Sequence, residues 1–124
     1  MIDYGLNEIH ITPASNMREC RELAFDFWGR DCLYLKRGYA LGLDRYTNKV
    51  DAAHVFGRGS HPILKLVPLN IILLNHQVHL LIDGYKNPQT GENVDRQYHE
   101  NLLRLLIGSN MYDYLLEIEQ QLRK

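Results

Sequence analysis

The chain is expected to fold as a single α+β domain. Two stretches, Met17 to Gly29 and Val94 to Leu122, repeat apolar residues at helical spacing, whereas Val50 to Phe56 and Asn70 to Leu74 are short runs of strand length without that period. The 124 residues, 45% apolar and 23% charged, suffice for one core of their own and leave no second domain to assign.

In chain order, residues 1–13 read as irregular or strand-like, with Ile9, Ile11 and Pro13 leading to an N-cap at Ser15 or Asn16. Asn16 and Glu19 stand at capping-box spacing. Met17, Cys20, Leu23, Ala24, Phe27 and Trp28 then form the apolar face of a helix. From Leu33 to Gly42, glycine and aromatic residues alternate with basic ones, which predicts strand or turn, and residues 43–50 are polar. Val50 to Phe56, bounded by Asn48-Lys49 and Gly57-Arg58-Gly59, predicts a strand that delivers His54 to its end. Residues 57–68, with two glycines and two prolines, predict a long ordered loop, a length that compact domains tend to keep for function.

Asn70-Ile-Ile-Leu-Leu predicts a buried strand, and Asn75 a cap for a helix from His76 to Ile82 that Gly84 ends. His79 and Asp83 are then four apart on one helical face, able to meet one ion or one partner. After the turn Asn87 to Gly91, the residues Val94, Tyr98, Leu102, Leu105 and Leu106 mark a helix closed by Gly108-Ser109-Asn110. A last helix from Met111 carries Tyr114, Leu115, Ile118 and Leu122 on one face. These C-terminal helices, within 93–123, are expected to be scaffold around a core motif at 48–84.

A net charge of −1 argues against a protein that coats nucleic acid nonspecifically, which needs a surplus of Lys and Arg. The positive charge is nevertheless concentrated. Residues 30–65 hold Arg30, Lys36, Arg37, Arg45, Lys49, Arg58 and Lys65 against Asp31, Asp44 and Asp51, a local balance of +4 beside His54. Cys20 and Cys32 are too far apart for a zinc knuckle and read as small apolar core residues in a reducing compartment. No stretch resembles a signal peptide or a membrane span, so the expected location is the cytoplasm, with no membrane partner.

Three residues carry the chemistry: His54 at a strand end, Asn70 at the opening of a second strand, and His79 on the helix that follows. Phosphodiester hydrolysis needs a base for water and a counter-charge for the phosphoryl oxygens. A neutral histidine suits the first task and a divalent cation the second. His54 is the candidate base and His79 the candidate metal anchor, with Asp83 or His76 as co-ligand. The Asn70 amide can orient an imidazole, hold a backbone carbonyl or ligate the metal, and these roles stay open. Arg58, between glycines that let backbone approach a ligand, is the leading phosphate contact, joined by His61, Lys65 and His76 as candidate nucleic-acid contacts. His10 and His99 are expected to have no specific role, and the tyrosines are expected in core and interface.

The order His54, Asn70, His79, with separations of 16 and 9 residues, resembles the HNH or ββα-metal endonucleases, which include colicin DNases, homing endonucleases and phage recombination nucleases. The resemblance covers residues 51–83. It implies a β-hairpin and helix clasping one divalent ion, Mg or Mn with Zn or Ni as alternatives, His54 as general base, His79 as metal ligand and a 5′-phosphate product. It further implies a small DNA endonuclease of the phage or prophage type, working in a bacterial host cell. Many relatives carry Asp or His just before the base, where this chain has Ala53; Asp51 from the strand and Asp83 from the helix are the replacements considered. Relatives with a structural zinc hold it through cysteine pairs, one of which falls at Asn75 and Val78 here, so no structural zinc is expected. Two rivals follow: a catalytically impaired nucleic-acid-binding module of the same fold, which Ala53 favours, and a helical dimerisation or interaction protein. The form of the DNA, duplex, branched or single-stranded, and the choice of DNA over RNA are left open by the sequence, and a homodimer is a further expectation.

Overall fold

A computed structural model describes residues 8–39 and 49–123. The expectations for residues 1–7 and 40–48, including Arg45 and the end of the Leu33 to Gly42 segment, lie outside these. Among the described residues the architecture is α+β: six helices and one two-stranded antiparallel sheet.

A single helical turn, α1 (Glu8–Ile11), precedes α2 (Met17–Trp28). The Asn16 side chain accepts from the Glu19 N–H at 2.9 Å, which satisfies one of the free donors at the helix start. The return bond of the capping box goes one residue further back, with the Glu19 carboxylate accepting from the Ser15 N–H at 3.4 Å. Gly29 ends α2 at φ 85°, a left-handed conformation that suits glycine. The buried face of α2 presents only the small residues Cys20 and Ala24, which with Ala14 let the helix approach Ile71 of the sheet closely. Both cysteines are free and buried, and burial pushes the Cys20 thiol up to about 11.

The segment after Asp31 is helical where a strand or turn was predicted. Leu33–Lys36 forms one turn, α3, with Leu33 and Tyr34 both buried. On a half-buried strand these neighbours would face opposite sides, whereas one helical turn places both against the core. The turn is held from both sides: Lys36 Nζ donates to the Trp28 carbonyl at 2.8 Å, and Arg37 Nε to the Leu106 carbonyl at 2.7 Å.

The sheet consists of β1 (Val50–His54) and β2 (Ile71–Asn75), with His54 opposite Ile71 and Asp51 opposite Leu74. Every residue of β2 is buried, and burial of each Ile or Leu contributes about 1.5–3 kcal/mol. The predicted loop between the strands is ordered by two 3₁₀ turns, Pro62–Leu64 and Pro68–Asn70, each opened by its proline. Asn70 thus closes a turn rather than starting β2. Asn75 ends β2 and caps α4 (His76–Asp83), its side chain accepting from the Gln77 N–H at 2.9 Å. Gly84 closes α4, its N–H donating to the Leu80 carbonyl at 3.0 Å.

The scaffold comprises α5 (Arg96–Ile107), capped by Asp95, and α6 (Ser109–Leu122), separated by Gly108 alone at φ 92°. Leu102, Leu103 and Leu106 of α5 and Met111, Leu115 and Ile118 of α6 join Val78 and Ile82 of α4 in the main core. Among the described residues no helix is long and apolar enough to cross a membrane.

Candidate active site

His54, Asp51, His79, Asp83 and Arg58 line one cleft of about 1000 Å³. β1 supplies the first two, α4 the next two and the interstrand loop the last. Sequence distance is therefore closed by a strand, its partner and the helix that β2 feeds.

The His54 ring is held by its own loop. Nε2 donates to the Lys65 carbonyl at 3.0 Å, because a carbonyl can only accept, and Nδ1 is left as the basic atom of the neutral ring. Burial lowers the His54 pKa below the usual histidine value, outweighing the Lys65 bond, which works the other way; the Arg58 charge adds to the lowering. The imidazole is thus neutral at neutral pH, the state a base requires.

Asn70 is fully buried and does not line the cleft. Its Oδ1 accepts from the Phe56 N–H at 2.8 Å, while Nδ2 donates to the carbonyls of Phe56 at 3.0 Å and Leu64 at 3.2 Å. It is a clamp across the interstrand loop, adjacent to the Lys65 carbonyl that fixes His54. Of the roles open in the sequence, the backbone-holding one matches these contacts.

His79 is bonded at both ring nitrogens. Nδ1 donates to Asp51 Oδ2 at 2.9 Å and Nε2 to Asp83 Oδ2 at 3.0 Å. The Asp83 bond pushes the imidazole up to about 9, against the effect of burial and with further help from Asp51. Asp51 also accepts from His76 Nδ1 at 2.6 Å. Burial alone would raise the Asp51 carboxyl, but the bonds from His79 and His76 outweigh it and the net shift is downward.

Opposite ring edges of His79 therefore face the two carboxylates. A cation on Nε2 would meet Asp83, while Asp51 would stand behind the ring on Nδ1 as the carboxylate that orients a metal-bound histidine. Among the described residues no three His, Cys, Asp or Glu side chains group as a metal site. An imidazole nitrogen and one carboxylate are donors that a first-row divalent ion such as Mn²⁺ would accept, with water and substrate oxygens completing its shell. Ala53 is 2% exposed in the main core, so a ligand there would be buried among apolar side chains.

Two of the expected nucleic-acid contacts, His61 and His76, are bonded to carboxylates. His61 Nδ1 donates to Glu119 Oε2 at 2.8 Å, tying the loop to α6 next to a buried carboxylate that would repel phosphate. His76 braces Asp51, and Lys65 enters the site through its backbone carbonyl. Only Arg58 of the four lines the cleft. Sequence reasoning missed further lining residues, among them Arg18, Arg21 and Glu22 on α2, Tyr85 after α4 and His99 on α5. The three-residue spacing of the arginines on the solvent side of an amphipathic helix was a usable signal. Comparisons with family models, curated proteins and solved structures return no match.

Proposed function

We propose that the chain is a metal-dependent DNA endonuclease, with β1, β2 and α4 serving as a ββα-metal core and a place in phage or prophage DNA processing. The observation that carries this is the cleft in which a neutral His54 and the His79–Asp83 pair occur together with Arg18, Arg21, Lys49 and Arg58. The basic side chains would bind backbone phosphates and set the register of the strand. His54 Nδ1 would take the proton of the attacking water, its ring held in orientation by the Lys65 carbonyl. His79 Nε2 and Asp83 would hold the divalent ion, Asp51 keeping the ring in place through Nδ1. When bound, the ion would supply counter-charge for the phosphoryl oxygens and the departing alkoxide.

A second reading, a nucleic-acid-binding module without catalysis, is favoured by Ala53 and by the lack of a three-ligand group among the described residues. Nicking of supercoiled plasmid separates the two. The endonuclease reading predicts conversion to open circles in Mn²⁺ that EDTA stops; DNA retained in a gel shift but never nicked would leave only the binding module.

A further inference from the structure

Tyr85 is the one non-glycine among the described residues with a left-handed backbone, at φ 54°. A bulky side chain is strained there, and the glycine that would relieve it stands one position earlier. Two backbone bonds hold the residue: its N–H donates to the Ile82 carbonyl at 3.0 Å, and its carbonyl accepts from the Val94 N–H at 2.9 Å. The phenol ring lies flat on the His99 imidazole, with centroids 4.0 Å apart and planes 4° from parallel. His99 is itself anchored on the Ile82 carbonyl, and burial lowers its pKa, so the stack is one of neutral rings.

Tyr85 is nevertheless 43% exposed, and both rings line the cleft that holds His54 and Asp83. A rigid aromatic surface, open to a groove that also carries Arg18, Arg21, Lys49 and Arg58, combines the two elements of single-strand recognition: a stacking face for a base and cations for its backbone. A base inside a continuous duplex has both faces covered by its neighbours. Only an unpaired or extruded base offers a free π-face.

We propose that Tyr85, braced by His99, stacks one unpaired base, and that the cleft takes single-stranded nucleic acid or the unpaired strand of a branched DNA. The proposal rests on reading the cleft as a nucleic-acid site, and its test is run in EDTA so that binding is measured apart from hydrolysis. Fluorescence anisotropy compares a labelled oligothymidylate, the same strand with abasic sites, and a duplex of equal length. Wild type should prefer the oligothymidylate. Tyr85→Gly should weaken that binding by about tenfold while changing duplex affinity less than about twofold. Tyr85→Phe, which keeps the ring, should bind as wild type, and abasic strand should bind wild type as weakly as intact strand binds Tyr85→Gly. Because glycine suits this φ, the Tyr85→Gly protein should melt close to wild type, separating lost stacking from lost folding. Equal oligothymidylate affinity in wild type and Tyr85→Gly would overturn the platform, as would an equal loss on duplex. Ring-dependent binding in a protein that never nicks DNA in Mn²⁺ would uphold the platform and refute hydrolysis alone.

Discussion

His54→Ala is expected to reduce Mn²⁺-dependent nicking by about 10²–10⁴-fold, the range over which a positioned base accelerates proton transfer. The thermal melt should stay near wild type, because the ring is only half-buried and its one bond goes to the Lys65 carbonyl. Burial holds the wild-type imidazole below the usual histidine pKa. At saturating Mn²⁺, protonation of Nδ1 should therefore cut kcat/KM as the pH falls, with a midpoint below about 6.5. Full activity in His54→Ala would remove this residue from the mechanism.

The second large effect is on stability. Asn70→Ala strips three hydrogen bonds from the buried loop and leaves the Phe56 N–H and carbonyl without that partner, while the Leu64 carbonyl keeps only the Val67 N–H at 3.1 Å. Each buried group so exposed costs about 1–3 kcal/mol, so a total of about 3 kcal/mol or more is expected. For a chain of this size that lowers the melting temperature by roughly 10 °C. Metal-dependent activity should fall in step with the folded fraction and with the drift of the Lys65 carbonyl from His54. An unchanged melt with abolished cleavage would instead return Asn70 to the reacting centre.

The contrast between these two residues shows what was legible in the sequence. His54, the Asn75 cap, the His79–Asp83 pairing and the two strands are local signals, carried by short runs, caps and a four-residue helical step. The function of Asn70 depends on main-chain atoms 6 and 14 residues away, which no side-chain pattern displays. Similarly, the glycines and aromatics of Leu33 to Gly42 predict strand or turn, whereas Leu33–Lys36 forms a helical turn that buries both Leu33 and Tyr34. His61 looked like a loop phosphate contact because its partner Glu119 lies 58 residues on. The sequence gives no specific role to His99, and Tyr85 is one tyrosine among eight, since nothing in composition reveals a left-handed backbone or a flat stack across two elements.

The proposed hydrolysis turns on one cation that His79 Nε2 and Asp83 would hold. Titration calorimetry with Mn²⁺ tests that most directly, and because Nε2 now donates to Asp83, uptake at neutral pH must release a proton from the ring. The account predicts one ion per wild-type chain, a heat that varies with the ionisation enthalpy of the buffer, and a loss of affinity in both His79→Ala and Asp83→Asn. Absence of binding by the wild-type protein, or equal affinity in those two variants, would contradict it.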